Sequence, residues 1–501
     1  MRYVLLNTSM RSAIFTLLFT SYAYFYQAGG WNQNSRFDLV RAVTNDHAVR
    51  IDPYQRNTGD KALYDGHYYS DKAPGLALAA IPIAEAGRLA LLASGGDPES
   101  FAGLAILSYL ATVLTVGLLT ALAGVVLYDL SIELGASMGG ALFAATAFGL
   151  ATPMWTLATL FIGHAMAAAG LLLAFAATAR IGGERDLRSN LKLATAAGVS
   201  AGWATVAEFP AAIPAVMIAL WACCRARPLG GKGLRAVTAL ALGALACAAV
   251  LMAYQYACFG SPFHLTYSSE EGFEGMKQGW FGLNLPRVIG FSPILFGDYR
   301  GLLPIAPVLA LAPIGLVVIG RRARGAALMS TLIAVFYVLL NAGYTYWEGG
   351  WSFGPRHLSP AIPFLCLGLA GLWTITPRFG RVVLLGLWVW GASLSLVAVA
   401  TMAQPPAVYR HPVADLLWPA FRDGDLALST QTFAHGSTDL ASWRTHTEPK
   451  AAWNLGMKLG LSGFASLAPL ALVWTACAVW LVRVAKSTAA ARGETQSQGF
   501  R

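Results

Sequence analysis

Long apolar segments without a charged residue constrain the fold of this chain more than any other feature. Residues 101–128, 236–259 and 382–402 contain no Asp, Glu, Lys or Arg, and a helix of about 20 apolar residues crosses the hydrocarbon core of a bilayer. Of the 501 residues, 56% are hydrophobic and 12% are charged, about half the charged fraction of an average soluble protein. The sequence therefore predicts an all-α polytopic membrane protein.

The formal net charge of +10 comes largely from cations in short connectors between the apolar segments. These connectors lie at 180–192, 225–235, 321–324 and 378–381. Clusters of Lys and Arg in short loops are typical of the cytoplasmic side of membrane proteins, so nucleic acid is not a predicted partner. The six cysteines lie in or beside apolar segments without the spacing of metal ligands, which predicts small packing residues.

Placing all four connectors inside predicts about twelve transmembrane helices with both termini cytoplasmic. The segment 74–94 is apolar but carries Glu85 and Arg88 near its middle. If it crossed the membrane, the connectors at 180–192 and 225–235 would lie outside, so it is predicted to be an interfacial or re-entrant helix on the outer side. The predicted spans are 12–27, 101–128, 135–154, 160–178, 193–206, 210–223, 236–258, 303–319, 325–344, 358–375, 382–402 and 459–482.

This threading predicts one integral membrane domain over 1–482 with its polar loops outside. The large first outer loop, 28–100, carries membrane-surface helices, and further outer loops span 259–302 and 403–458. The last of these, with Trp418, His435 and Trp443, is the expected place of acceptor selection. Residues 483–501, rich in Ser, Thr and Gly after Lys486, are expected to form a disordered cytoplasmic tail.

The first outer loop contains two groups of candidate residues. Ser35-Arg36-Phe37-Asp38 fits a capping box at the start of a short surface helix. Asp38 is then a helix cap, a carboxylate at the lipid–water boundary that takes a proton from an acceptor hydroxyl, or both.

The second group is the segment 66–74, in which Pro74 can open a helix with Asp71 and Lys72 at its start. A helix N-terminus and an ammonium group together favour an anion such as phosphate. The alternative is an interfacial belt, with tyrosines at headgroup level and the lysine reaching toward water.

Further candidates lie near the outer ends of later spans. His164 and Glu208 are polar groups at membrane depth, where function or interfacial packing can explain them. Arg356, with Glu348 and His357, lies in a loop rich in glycine and tryptophan, where an arginine can clamp phosphate and the rings can stack on a sugar or line the interface. Glu270, Glu271 and Glu274 are expected to form a solvated face.

At these residues the chain resembles the glycosyltransferase-C superfamily, whose members include protein O-mannosyltransferases and the lipid A aminoarabinose transferase. Tyr69-Ser70-Asp71-Lys72-Ala73-Pro74 is similar to the aromatic-acidic-Lys-Pro-Pro element that ends the first outer loop of that family. Ser35-Arg36-Phe37 resembles its Thr-Arg-Tyr start of a surface helix. The motif similarity covers roughly the N-terminal fifth of the chain.

The resemblance implies an inverting glycosyltransferase on the outer face of a bacterial cytoplasmic membrane. The donor would be a polyprenyl-phosphate sugar and the acceptor a glycolipid, a polysaccharide or a protein. Lys72 matches the lysine that holds the donor phosphate in the family, and Asp71 matches an acidic residue that helps to hold a divalent metal ion in some relatives. Arg356 and Lys61 are further expected phosphate-binding residues. The remaining expected substrate-binding residues are His67, Tyr69, His164, Glu208, Glu348 and His357.

The chain departs from the family where the acidic pair is expected, because Gln33 and Asn34 stand there. An amide cannot act as a general base, so that role falls on Asp38 or on Asp60, or the chain has no transferase activity. The alternatives to a transferase are a lipid-linked-sugar flippase or other transporter and a non-catalytic subunit of envelope assembly. A transporter would need ionisable residues spread along the midplane of several spans.

Overall fold

The computed structural model describes residues 2–434 and 449–498. The architecture is a bundle of helices with two small two-stranded sheets. The helices are α1 Arg2–Ala23, α2 Trp31–Asp46, α3 Gly75–Ala93, α4 Phe101–Thr112, α5 Leu118–Glu133, α6 Met138–Leu150, α7 Met154–Ala158, α8 Gly163–Ala179, α9 Leu187–Ala207, α10 Ala212–Ala226, α11 Gly231–Phe259, α12 Val288–Phe296, α13 Leu302–Ile305, α14 Ala312–Gly320, α15 Arg324–Gly343, α16 Ile362–Ile375, α17 Arg378–Thr401, α18 Trp418–Arg422, α19 Leu455–Lys458 and α20 Ala468–Gln498. The strands are β1 Phe25–Tyr26, β2 Lys61–Tyr64, β3 His67–Ser70 and β4 Trp453–Asn454, paired β1 with β4 and β2 with β3.

Each of the predicted spans coincides with helical structure. Within residues 2–434 and 449–498, eight helical stretches are long and apolar enough to cross a membrane, and three shorter apolar helices accompany them. A π-helical turn over Val113–Gly117 joins α4 and α5 into one long helix. The chain is an all-α multi-pass membrane protein.

The four basic connectors lie on one face of the bundle. They are held there by contacts with the neighbouring helix ends, as the positive-inside pattern predicts. The contacts are Arg180 with Glu133 (2.8 Å), Arg225 Nη2 with the Ile181 carbonyl (2.6 Å), Arg322 Nη1 with the Gly135 carbonyl (3.0 Å) and the Ser137 amide with Thr374 Oγ1 (2.9 Å).

Helix α3 packs beside α2, and the residues just before and just after α3 contact α2. Helix α3 is long and apolar enough to span a membrane. Just before α3, the Ala73 carbonyl accepts a hydrogen bond from Arg36 of α2 at 2.8 Å. Just after α3, Glu99 is ion-paired with Arg41 and accepts from Asn45 of α2 at 2.8 Å. Residues on both sides of α3 therefore contact α2, and the interfacial or re-entrant position of this helix stays a prediction.

The core of the bundle is built on small residues that allow close helix approach. Helix α8 is buried along almost its whole length. Where α14 crosses α16, a Cβ atom added at Gly315 would lie 1.6 Å from the Gly368 carbonyl oxygen. A side chain larger than hydrogen at this crossing would force the two helices apart.

The start of α2 differs from the predicted capping box. The helix begins at Trp31, with Gly30 as its N-cap and no side-chain cap. Ser35 therefore lies one turn inside the helix, and its hydroxyl oxygen contacts Ser70 Oγ at 2.8 Å. The capping-box prediction is wrong because Gly30, which has a φ of 156°, starts the helix before the polar residues of the motif.

Two further elements were not expected from the sequence. Strands β2 and β3 form a hairpin whose turn residues Asp65 and Gly66 have positive φ values of 49° and 79°, and Asp-Gly is a recognised signal for such a turn. Helix α20 continues from 483 to 498, so this part of the tail is helical and not disordered as predicted. Its Ala-rich stretch around 489–491 favours helix.

Candidate active site

A cavity of about 370 Å³ lies at the end of the bundle opposite the basic connectors. Gln27, which lines it, follows the end of α1 farthest from Arg11, and Arg11 pairs with Asp129 beside those connectors at 2.9 Å. Two walls form the cavity. The charged wall comprises Asp60, Lys72, Glu270, Glu348, Arg356 and His357, interspersed with Phe273, Tyr344, Tyr346 and Trp351, and the uncharged wall comprises lining residues from 27–33, 402–404 and 429–431.

Lys72 lies between two carboxylates of the charged wall. Its Nζ is 2.6 Å from Asp71 Oδ2 and 3.1 Å from Asp60 Oδ2. Burial alone would lower the pKa of Lys72, but the surrounding carboxylates Asp60, Asp71 and Glu270 together raise it well above its usual value. An ammonium has three N–H groups, so one remains available to a ligand in the cavity.

The carboxyl groups around Lys72 do not all carry a charge at neutral pH. Burial, followed by the negative charge of Asp71, raises the pKa of Glu270 to about 8. Burial raises the pKa of Asp71 above its usual range, although Lys72 acts in the opposite direction. Near pH 7, this raised pKa favours the protonated form of Glu270.

The expectation that Glu270 belongs to a solvated face is wrong. Glu270 forms an antiparallel bridge with Ala62, and the Glu271 amide donates to the Lys61 carbonyl at 3.0 Å. These contacts pin the later outer loop to β2 and turn Glu270 toward Lys72. Because the partner strand lies some 200 residues earlier in the chain, the sequence around Glu270 carries no signal of this contact.

The metal site predicted at Asp71 has no suitable donor set. In the part of the chain that the structure describes, no group of three or more His, Cys, Asp or Glu side chains could hold a metal ion. Asp71 Oδ2 is bonded to the Lys72 ammonium, and Oδ1 accepts from Ser35 Oγ at 3.2 Å. The lysine thus occupies the space between carboxylates that a divalent ion would need.

Arg356 provides a second cation in the charged wall. It begins a 3-10 turn, Arg356–Ala361, that leads into α16. The backbone at Gly349 packs closely against the Arg356 side chain, since a Cβ atom at Gly349 would lie 2.9 Å from Arg356 Cγ. The φ of Gly349 is 69°, a conformation that favours glycine. Arg356 Nε and the neighbouring His357 Nε2 are buried without a hydrogen-bond partner among the described residues. Together with Glu348, these predicted residues do line the cavity.

His164 and Glu208 are brought together, but behind the charged wall. Arg36 Nη2 lies 2.6 Å from Glu208 Oε1 and both side chains are buried. His164 Nδ1 lies 3.6 Å from the same oxygen, and the His164 ring centroid is 5.4 Å from that of His357. Neither His164 nor Glu208 lines the cavity, and their expected role in substrate binding stays a prediction.

Asp38 lies inside the protein, and its predicted catalytic role stays a prediction. It is fully buried, and its Oδ1 accepts from Asn57 Nδ2 at 2.9 Å and from Arg41 Nη1 at 3.3 Å. Burial raises the pKa of Asp38 to about 8. Asn57 also donates to the Phe433 carbonyl at 2.9 Å, which places the chain near 433 over this face of α2. Asp38 does not line the cavity.

The three remaining candidates lie on the β2–β3 hairpin and do not line the cavity. Lys61 Nζ bonds to Gln55 Oε1 at 2.6 Å. His67 Nδ1 lies 2.9 Å from Asp52, and the Tyr69 ring packs 5.2 Å from the Phe259 ring.

Of the residues expected to choose the acceptor, His435 and Trp443 lie outside the described residues, and Trp418 is half exposed at the start of α18.

No protein-family model and no curated protein matches the chain. Among solved structures it is similar to ArnT from Cupriavidus metallidurans in the apo state, with 16% identity, a TM-score of 0.48 and coverage of 97% of this chain and 75% of that one. The form of ArnT bound to undecaprenyl phosphate has 16% identity and a TM-score of 0.47, with coverage of 97% of this chain and 77% of that one. The oligosaccharyltransferase AglB from Archaeoglobus fulgidus, in complex with an inhibitory peptide and a dolichol-phosphate, has 12% identity and a TM-score of 0.44, with coverage of 78% of this chain and 55% of that one. At these identities and TM-scores, function has to be argued from the cavity itself.

Proposed function

We propose that the chain is an inverting glycosyltransferase that moves a sugar from a polyprenyl-phosphate donor to a cell-envelope acceptor. One observation carries the proposal: a single cavity combines two cations with unused donors, a carboxylate and several aromatic rings. Cations bind the donor phosphate, a carboxylate can take the proton of the acceptor hydroxyl, and aromatic rings can stack on the sugar ring.

The donor phosphate is proposed to contact Lys72 and Arg356. Lys72 offers its third N–H, and its raised pKa keeps it charged throughout the physiological range. Arg356 offers its guanidinium group, because the residue lines the cavity and forms no ion pair in the described part of the chain. Negative charge that develops on the leaving phosphate would be stabilised by these two fixed cations more strongly than by water.

Asp60 is the proposed general base. It lines the cavity and is ion-paired with Lys72. Asp38 is buried behind the wall and does not line the cavity. Glu270 does line it, but burial and the negative charge of Asp71 raise its pKa to about 8, which favours its protonated form at pH 7, and a base must be unprotonated to accept the hydroxyl proton.

The transfer would proceed by one displacement at the anomeric carbon. The acceptor oxygen bonds to that carbon from the face opposite the phosphate, while the bond from the carbon to the phosphate oxygen breaks. Asp60 takes the hydroxyl proton, and the polyprenyl phosphate leaves with the electron pair. The charge of the leaving group is balanced by Lys72 and Arg356.

The reaction is proposed to take place on the outer face of a bacterial cytoplasmic membrane. The cavity lies opposite the face that gathers the basic connectors, and such connectors favour the cytoplasmic side. The acceptor would be a glycolipid, a polysaccharide or a protein that reaches the cavity from outside.

The direct test is sugar transfer by the purified full-length chain, with radiolabelled polyprenyl-phosphate sugars and an envelope lipid and protein extract. Asp60→Asn and Arg356→Gln should each lower the rate by about 100-fold. Lys277→Ala is the matched control, because Lys277 is an exposed cation of an outer loop, 69% accessible, and pairs only with Glu274.

Two outcomes would contradict the proposal. Undiminished transfer by both cavity variants would remove the assigned site. Movement of intact lipid-linked sugar across liposomes without transfer would instead identify a flippase.

A further inference from the structure

The uncharged wall of the cavity is a continuous, hydrogen-bonded surface built from three distant parts of the chain. The Gly29 amide donates to the Gln431 carbonyl at 3.3 Å, and Gln27 Nε2 donates to the Val399 carbonyl at 2.8 Å. Gln33 and Gln404 form a reciprocal pair of carboxamides, in which each Nε2 donates to the other's Oε1. These bonds hold the segments 27–33, 402–404 and 429–431 as one unit.

Nothing in these three segments is ionisable. The polar side chains that line the cavity from this wall are carboxamides and one hydroxyl: Gln27, Asn32, Gln33, Gln404, Gln431 and Ser429. Every ionisable residue that lines the cavity belongs to the charged wall. The two walls meet where the ring of Trp31 lies 6.4 Å from the ring of Phe273.

Part of the hydrogen-bonding capacity of this wall is unused. Gln431 is 6% exposed, and its carboxamide makes no hydrogen bond to the residues that the structure describes. Asn32 uses its Oδ1 to accept from Arg36 Nε at 3.1 Å, which leaves its amide N–H groups without a partner in the described chain. Both carboxamides line the cavity, so a ligand that both donates and accepts hydrogen bonds can pair with their free groups.

We propose that the uncharged wall binds the transferred sugar and selects a neutral, hydroxyl-rich ring over rings that carry an ammonium or a carboxylate. This inference rests on the proposed function, because it assumes a lipid-phosphate sugar whose phosphate lies on the charged wall. Sugar hydroxyls donate and accept hydrogen bonds, as carboxamides do. The exposed ring of Trp31 supplies an apolar face beside them.

A charged substituent would be disfavoured on physical grounds. It would lose water on entering a wall that holds no counter-charge, and the carboxamides would replace only part of that hydration. The amide at Gln33 is consistent with this preference for a neutral sugar. Where the resembling family has an acidic residue, this chain presents a neutral amide that is locked to Gln404.

The test uses three donors that differ only in one substituent: glucose, glucosamine and glucuronic acid, each linked to the same polyprenyl phosphate. Binding is measured by competition on the full chain in nanodiscs, with polyprenyl phosphate without sugar as the reference. We expect the glucosyl lipid to bind at least about tenfold more tightly than either charged analogue.

Gln404→Glu should raise the affinity of the glucosamine lipid relative to the glucose lipid by about tenfold, since it adds a negative charge at the wall. A glutamate at 404 keeps the oxygen that accepts from Gln33. Gln278→Glu is the matched control, because Gln278 is an exposed amide outside the cavity, and it should leave the preference unchanged.

The outcomes separate the two proposals. If polyprenyl phosphate without sugar does not bind, the proposed function fails. If that reference binds to both variants but the three sugar lipids bind equally well, the selectivity inference alone is overturned. It is also overturned if Gln404→Glu and Gln278→Glu show the same preference.

Discussion

Lys72 is surrounded by more carboxyl groups than one cation can neutralise, and protonation resolves the excess. Asp60 and Asp71 contact its ammonium at 3.1 Å and 2.6 Å. Glu270, the third neighbour, has a pKa of about 8 because it is buried beside Asp71. Below that pH the proton on Glu270 limits the negative charge near the place proposed for phosphate.

We therefore expect the affinity for polyprenyl phosphate to fall by roughly tenfold between pH 7 and pH 9. The sign follows from the raised pKa of Glu270: its proton is present below about pH 8 and lost above it, which adds a negative charge beside Lys72. Glu270→Gln should flatten the profile, measured as dissociation constants in nanodiscs. Glu274→Gln, at an exposed position, should not, and a common profile for both variants would contradict the assignment.

Asp38→Asn should retain activity within about twofold, because the carboxyl group that it replaces is already neutral at pH 7. A raised pKa in the folded chain means that the native state gains stability from this proton below the ordinary carboxyl pKa and loses it as pH rises through about 8. The melting temperature of Asp38→Asn should therefore fall less between pH 6 and pH 9 than that of the unsubstituted protein. A tenfold fall in transfer would show that Asp38 takes part in the reaction.

At the scale of elements, one buried ion pair locks the surface helix α2 to the bundle. Arg36 is 1% exposed and bonds to Glu208 at the end of α9 and to the Ala73 carbonyl just before α3. The pair thereby positions Lys72, which precedes α3 by a few residues. Removal of one partner from such a pair leaves an uncompensated buried charge.

Arg36→Met is expected to lower the free energy of unfolding by roughly 3–5 kcal/mol for that reason. Thermal unfolding in detergent would measure this as a lower melting temperature, and Arg36→Met combined with Glu208→Gln should recover part of the loss. Arg422→Met is the matched control, since Arg422 forms an exposed ion pair with Asp423, and exposed ion pairs contribute little to stability. Equal effects of Arg36→Met and Arg422→Met would show that the buried pair does not lock α2.

At the scale of the whole molecule, the bundle has two chemically different ends. The basic connectors meet at one end, where Arg225 and Arg322 bond to the backbone of neighbouring loops. The cavity lies at the other end, beside α2, α3 and the hairpin. This polarity of the bundle would set the side on which the proposed lipid-linked donor is used.

Cysteine labelling in intact and opened cells tests that polarity. In a background with Cys223→Ser and Cys224→Ser, a cysteine at Ser189 should react with a membrane-impermeant reagent only after the membrane is opened, because it lies at the start of α9 among the basic connectors. A cysteine at Ser94, after α3, should react in intact cells. The reverse pattern would invert the orientation and the proposed face of the reaction.

Features of the fold and the site were predictable where they depend on interactions between residues close together in the sequence. Apolar runs such as 101–128 and 382–402 determine spans by themselves, because a backbone in lipid must satisfy its hydrogen bonds within each helix. The segment that ends in Lys72, and the loop that contains Arg356, were predictable as outer candidates from their local density of polar and aromatic groups. Both line the cavity.

The sequence alone determined that the chain crosses a membrane many times, which loops lie together on each side, and where polar chemistry concentrates. Only the tertiary structure decided that Asp38 and Glu208 lie behind the wall while Glu270 faces into the cavity, and that Gln33 meets Gln404 across 371 residues. Spans follow from local hydrophobicity, which every residue reports independently. The burial of a particular carboxyl group depends on which distant segment covers it, and no local pattern records that contact.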